Sequence, residues 1–210
     1  MQELYANILP SWKKEFDKIS QTDWDTFFKT TPKGFLKPEL FKPFTVTPLE
    51  NLKVVVFGRL PACIGDENTH FGTYGVAEFK SEYVRETRMM YNLPETDKKK
   101  LDYETISKQG VLFINTSLTN SSSNWESIIQ KILENVYSRG WIISLTIHSN
   151  PTYINFVKHL VNQHDFNIWL KVKTNKAEQT DKGITPIVNS GIFFKINSYL
   201  QQWYMEPIEW

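Results

Sequence analysis

The chain has 210 residues, of which 40% are hydrophobic and 22% charged, and this is the composition of an ordinary folded protein rather than of a disordered chain. We expect a single domain spanning residues 1–210 around one large core. The formal net charge of +1 argues against strong non-specific binding of nucleic acid by the whole surface, although it leaves room for a local basic face.

Cysteine and histidine are too few and too scattered for a disulfide framework or a zinc site. Cys63 is the single cysteine and the four histidines share no metal-ligand spacing, so we predict a reducing compartment and no metal or other cofactor. No apolar run reaches the roughly 20 residues of a membrane span, and no signal sequence is apparent. We therefore predict a cytoplasmic protein that has no contact with a membrane.

The amino-terminal region is predicted to be helical. Apolar residues from Leu4 to Ile19 recur near helical spacing, which predicts helix over residues 3–28, with Thr22 or Asp23 as the cap of a second short helix. Residues 31–44 contain three prolines and are predicted to form an extended connection along the surface.

Two continuous apolar runs are typical of buried parallel strands, two further short segments are also predicted to be strands, and helical patterns separate them. One helix is predicted over residues 81–92, one after an N-cap at Asn124, one around Phe156 to Val161, and one around Asn197 to Gln202. This rhythm predicts an α/β fold in which a central, mostly parallel four-stranded sheet is flanked by helices. The predicted strands are 54–57, 110–115, 141–147 and 167–172.

The loop after the first strand is the first place to expect chemistry, because ligands bind at the carboxyl ends of strands in open α/β sheets. Its residues Leu60, Ala62 and Cys63 offer no carboxylate, no imidazole and no strong hydrogen-bond donor. Cys63 alone is a weak candidate for a nucleophile, because no histidine is placed beside it and a small buried thiol is the commoner role.

Four collinear stretches between residues 44 and 210 resemble the family 1 uracil-DNA glycosylases. The run from Phe44 to Gly58 is similar to F-x-x-T-P-x-x-x-V-K-V-V-I-x-G, and Lys108 to Thr119 is similar to K-Q-G-V-L-L-L-N-x-x-L-T. Residues 77–105 and 150–188 cannot be aligned. The two further matches are Asn124-Trp125 with G-W-x-x-F-T, and Phe193 to Trp210 with H-F-x-x-x-N-x-x-L followed by P-I-D-W.

The resemblance implies the fold of this family, whose enzymes flip uracil out of DNA and cleave its glycosidic bond through an oxocarbenium-like transition state. In the family, an aspartate holds the attacking water, a histidine donates to the departing uracil, an asparagine reads the uracil edge, and a tyrosine excludes the thymine methyl group. The family motif G-Q-D-P-Y-H coincides here with Gly58 to Cys63, so Leu60 replaces the aspartate and Ala62 the tyrosine. The H-P-S-P-L-S motif is expected between the fourth strand and Phe193, where the chain has Thr174 to Glu178 and no histidine.

A remnant of the base pocket is the part of the family site that the resemblance retains. It comprises Arg59, Leu60, Ala62, Tyr74 at the stacking position and Asn115 at the uracil-reading position. The alternatives are structural: Asn115 caps the end of its strand and bonds to the neighbouring loop, Tyr74 packs within a glycine-rich loop, and Leu60 and Ala62 fill a closed former pocket with apolar atoms.

These observations predict a catalytically degenerate glycosylase homologue that acts as a binding module. Its partner would be DNA, single-stranded rather than duplex, or a protein that mimics DNA and binds the glycosylase groove. One alternative is an active glycosylase with altered base specificity, because Ala62 enlarges the pocket near C5 of a pyrimidine, with Asp66, Glu67 or His70 as a replacement acid or base. Another is a structural subunit of a replication complex.

Overall fold

A four-stranded, all-parallel sheet organises the molecule. The computed structural model describes residues 6–31, 33, 38–58, 77–94, 102–116, 124–147, 151–173, 184 and 186–210. The strand order is β2-β1-β3-β4, with β1 pairing β2 from Val54 opposite Val111 and pairing β3 from Val54 opposite Ile143. This confirms the predicted α/β class. The strands are β1 (Val54–Gly58), β2 (Val111–Asn115), β3 (Ile143–Thr146) and β4 (Ile168–Lys171).

Helices cover both faces of the sheet, as parallel crossovers require. Two short 3-10 helices, Pro38–Phe41 and Leu49–Asn51, lie before the first strand. The α-helices of the described residues are α1 (Pro10–Phe16), α2 (Gln21–Thr30), α3 (Pro43–Val46), α4 (Ala77–Met90), α5 (Tyr103–Lys108), α6 (Trp125–Tyr137), α7 (Pro151–Val161) and α8 (Ile192–Gln202).

The core has two layers because successive strand residues point to opposite faces of the sheet. Val55 and Phe57 face the layer formed with α1, α2, α6 and α7, where Trp12 and Trp125 are fully buried. Val54 and Val56 face the layer formed with α4, α5 and α8. Both β1 faces are therefore apolar, which explains the continuous hydrophobic run from which the strand was predicted.

The amino-terminal prediction is wrong in its detail. The helical stretch is interrupted at residues 17–20, where Ser20 adopts an extended conformation and caps α2 by accepting a hydrogen bond from the Asp23 N–H at 3.1 Å. Ser20 is thus the cap, and Thr22 and Asp23 lie inside the helix. Residues 38–44, the continuous described part of the predicted extended connection, are not extended, because Pro38 and Pro43 occupy first turns, where a missing N–H costs no bond.

Several other predicted element boundaries differ from those in the structure. Trp141 has a positive φ of 65° and precedes β3, so the predicted strand 141–147 is too long by its ends. Asn124 is the N-cap residue of α6, as predicted, but its side chain makes no capping hydrogen bond. The last helix begins earlier than predicted, at Ile192, and α5 was not predicted.

The carboxy-terminal tail is fixed against the amino-terminal end of the sheet. The Asn197 side chain donates to the Ile208 carbonyl and accepts from the Ile208 N–H, both at 2.9 Å. The Gln109 side chain, next to β2, accepts from the Glu209 N–H at 2.7 Å and donates to its carbonyl at 3.2 Å. The buried Trp210 ring stacks on Phe193 with centroids 4.5 Å apart.

Gly110 allows the turn into β2. Its φ is +100°, and a Cβ at this position would lie 1.9 Å from the Asn51 carbonyl oxygen. Only glycine fits there.

None of the helices in the described ranges combines the length and the apolar character needed to cross a membrane.

Candidate functional site

The candidate site edge is the edge of the sheet at which the four parallel strands end. The carboxyl ends of β1 and β2 form one half of it, and this is the half that the sequence analysis identified. Gly58 and Asn115 are the last residues of their strands and lie opposite each other in register. The pairing extends one residue further, because the Thr116 N–H donates to the Gly58 carbonyl at 2.8 Å. The Asn115 side chain is therefore held beside the point at which the chain leaves β1.

Trp125 fixes the position of Asn115 from the next helix. Its indole Nε1 donates to the Asn115 carbonyl oxygen at 3.0 Å, and its ring packs against Phe27 and Phe41 at centroid distances of 5.8 and 5.9 Å. Asn115 is itself 1% exposed. The hydrogen bond fixes the Asn115 backbone, and the side chain is buried at the end of the strand rather than exposed on the surface.

The other half of the edge comprises the ends of β3 and β4. Thr146, fully buried, accepts a hydrogen bond from the Trp169 Nε1 at 3.1 Å, and its own hydroxyl donates to the Leu170 carbonyl at 3.4 Å. The Lys171 ammonium lies 3.6 Å from the centre of the Trp169 ring, which is a cation–π contact. This half of the edge presents a partly buried aromatic ring with a positive charge on it.

The described edge can donate, accept and attract an anion, but it carries no acid or base. Its functional groups are the Asn115 amide, the hydroxyls of Thr116 and Thr146, and the Lys171 ammonium. Glu126 follows Trp125 in the first turn of α6, and burial raises the pKa of its carboxyl group. Among the residues that the structure describes, no group of three histidine, cysteine or acidic side chains could hold a metal ion.

Of the five residues predicted for the remnant pocket, the described structure includes one. Asn115 lies at the carboxyl end of β2, and its role in a base pocket stays a prediction. Arg59, Leu60, Ala62 and Tyr74 lie outside the described residues, as do the alternative acids and bases Asp66, Glu67 and His70. Their roles stay predictions.

Sequence reasoning missed the residues that support this edge. Trp125 was identified as part of a motif, but its bond to Asn115 depends on how α6 packs on the sheet. Thr146, Trp169 and Lys171 meet only because β3 and β4 are neighbours, with Thr146 opposite Lys171. The charge of Lys171 after the apolar residues of β4 was the available signal, since charged side chains, lysine above all, are typical of edge strands.

Curated relatives share a low level of identity with nearly the whole chain, although no protein-family model matches it. The chain is 25% identical to the uracil-DNA glycosylase of Pseudomonas aeruginosa strain UCBPP-PA14 over 228 aligned residues, which covers 95% of this chain and 93% of the relative. It is also 25% identical to the uracil-DNA glycosylase of Mycoplasmopsis pulmonis over 197 residues, covering 83% of this chain and 80% of the relative.

Solved structures share the fold. A variant of mimivirus UNG in complex with UGI superposes with a TM-score of 0.67 at 16% identity and covers 100% of this chain and 90% of that one. The mimivirus uracil-DNA glycosylase gives a TM-score of 0.61 at 16% identity, covering 100% and 92%. The UNG of Nitratifractor salsuginis gives 0.54 at 13% identity, covering 97% and 93%.

Proposed function

This chain is a divergent member of the uracil-DNA glycosylase superfamily, and we propose that it is a catalytically degenerate member that binds its ligand without cleaving a glycosidic bond. The observation that carries the proposal is the combination at one sheet edge of a retained reader and a lost acid. Asn115 ends β2, where the resemblance puts the uracil-reading asparagine, and in the sequence Leu60 stands where the family has its water-holding aspartate.

The size of the expected loss favours binding over catalysis. Removing one preorganised charged or donor group typically raises a reaction barrier by about 3–4 kcal/mol, or about 10²- to 10³-fold in rate. Here the aspartate position is Leu60 and the region of the catalytic histidine, Thr174 to Glu178, has none. Even with non-additive effects, such a site retains binding and little chemistry.

The ligand that this edge suits is an unpaired base of single-stranded DNA. The Asn115 amide can hydrogen-bond a base edge. Trp169 with Lys171, on the opposite face and at the other side of the sheet, provides an aromatic ring and a positive charge for another nucleotide of the same strand, the two groups that single-stranded nucleic acid recognition uses. The net charge of +1 and the absence of the family's duplex-wedging H-P-S-P-L-S motif argue against duplex scanning. Protein binding at the same groove is the second form of the proposal, supported by the mimivirus UNG solved in complex with UGI.

The test is a uracil-excision assay on single- and double-stranded uracil DNA, run beside gel-shift binding of the same oligonucleotides. We expect no excision and measurable binding to the single strand. Asn115→Ala should weaken that binding, and Asn162→Ala, an exposed asparagine at the end of α7, is the matched control that should not.

Excision that Asn115→Ala abolishes would overturn the proposal and identify an active glycosylase with altered chemistry. Abasic-site formation on a panel of 5-substituted pyrimidines would then define its base. If neither excision nor DNA binding is found, the DNA form of the proposal is wrong, and titration with UGI tests the protein form directly.

A further inference from the structure

A cleft of about 330 Å³ lies at the opposite end of the sheet from Asn115, between the end of α4, the exposed side of α8 and the carboxy-terminal tail. Its volume is in the range of ligand sites. It is adjacent to the amino end of β2, because Gln109 binds the tail there. The residues that give it its character are Met90, Tyr91, Phe194, Asn197, Ile208 and Glu209.

The cleft is preorganised because its floor is held by side-chain hydrogen bonds to the tail backbone. Asn197 binds both the N–H and the carbonyl of Ile208, and Gln109 does the same for Glu209. The Trp210 N–H donates to the Tyr91 hydroxyl oxygen at 3.0 Å. A segment fixed at three successive residues loses little further freedom when a ligand binds.

One carboxylate in this cleft has no cation partner among the described residues. Glu209 is exposed, and no ion pair of the described chain includes it. Beside it, Phe194 is 66% exposed although it is a large apolar side chain. Burial, together with the nearby Glu209 charge, raises the pKa of Tyr91, so the tyrosine stays neutral and its ring is available as an apolar wall.

We infer that this cleft binds an arginine or lysine side chain presented by a protein partner. An alkyl stem suits the apolar walls of Met90 and Phe194, and the cationic head can bind the Glu209 carboxylate and lie against an aromatic face. Charge complementarity selects this occupant, because Glu209 is the one formally charged side chain among the described lining residues. The inference does not depend on the proposed function, since the two sites lie at opposite ends of the sheet.

The test uses the full chain and two blocked peptides that differ in one charge. Acetyl-Leu-Arg-Leu-amide is titrated against isotopically labelled protein, and its citrulline analogue, which has the same shape without the charge, is the ligand control. We expect saturable chemical-shift changes at Tyr91, Phe194 and Glu209 with the arginine peptide. The dissociation constant of the citrulline peptide should be at least about tenfold higher.

Glu209→Gln should weaken arginine-peptide binding by about tenfold, and Phe194→Ala should weaken it as well. Glu206→Gln is the matched control. It removes an equal charge three residues before Glu209, and the Glu206 side chain does not line the cleft. Thermal melting of each variant verifies folding, and none should change DNA binding.

Three outcomes would each overturn the inference. They are equal binding of the citrulline peptide, an equal effect of Glu206→Gln and Glu209→Gln, or no saturable shifts around the cleft with the arginine peptide.

Discussion

The two ends of the same sheet differ in what they retain. At the amino-terminal end, Asn197, Gln109 and Trp210 make specific hydrogen bonds that fasten the tail to the strands. At the carboxyl end, the described edge holds Asn115 in place through Trp125 but presents no carboxylate and no imidazole.

The difference shows that support and chemistry are separable in this fold. Tail residues contribute to the free energy of unfolding, so replacing them penalises every molecule of the protein whatever it binds. An acid or base at the site edge adds nothing to folding and matters only if the reaction is needed. The described tail contacts and the described site edge can therefore change independently of each other.

The largest effect is expected from removing the tail anchor. Trp210→Ala should reduce the free energy of unfolding by about 3–5 kcal/mol, because it leaves a cavity against Phe193 and removes the indole donor to Asn197. Chemical denaturation measures it. Trp210→Phe, which keeps most of the packing, should cost clearly less, and equal losses would show that the hydrogen bond dominates.

Asn197→Ala should cost about 2–3 kcal/mol. It leaves both polar groups of the buried Ile208 backbone and the Trp210 indole without their described partner. Urea denaturation compares it with Ser198→Ala, its neighbour on α8, which bonds only the Phe194 carbonyl. Similar midpoints for the two variants would contradict the view that the amino-terminal end is the more strongly specified one.

Asn115→Asp sharpens the comparison at the other end, because it changes the hydrogen-bonding character of the amide while nearly keeping its size. A carboxylate cannot donate to a base edge, so binding of single-stranded DNA should weaken by about 1–3 kcal/mol, or about 5- to 150-fold. Gel shifts at fixed salt concentration measure this. Unchanged affinity would favour the structural role of Asn115.

The smallest effect concerns the cap of α5 and depends on pH. The Thr105 hydroxyl, followed by backbone N–H groups, holds the pKa of Asp102 below its usual value of 3.8. The carboxylate therefore stabilises the folded state above pH 3.8, and this contribution disappears as the pH falls through the lowered pKa. Asp102→Ala should cost about 1 kcal/mol at pH 7.

Denaturation at several pH values tests this expectation. The charge-dependent part is the difference between the wild type and Asp102→Asn, which keeps the acceptor oxygen. It should be small at pH 7, since the site is exposed, and should disappear once the pH has fallen below the lowered pKa of Asp102. A difference that grows as the pH falls would contradict the assigned sign.

Sequence alone predicted the sheet well because β1 and β2 are buried on both faces and therefore appear as continuous apolar runs. It was weaker where short-range chemistry decides. Ser20 interrupts the first helical stretch, and α5, with six residues, is too short for a clear period, although Asp102 before it was an available cap signal.

The candidate site divides in the same way. Asn115 could be predicted because it ends an apolar run inside a specific motif. The roles of Trp125, Thr146 and Lys171 could not be predicted. Each of their contacts joins two different elements and depends on how those elements pack.

The parallel order of the sheet also constrains how the chain is made. β1 is an inner strand and is the first of the four strands to leave the ribosome. Its partners come much later in the chain, since Val54 pairs with Val111 on one side and Ile143 on the other. At about 5–20 residues per second, its apolar edges wait several seconds for both neighbours. During that interval the segment 54–57 is the part of the nascent chain most exposed to aggregation and most in need of a chaperone.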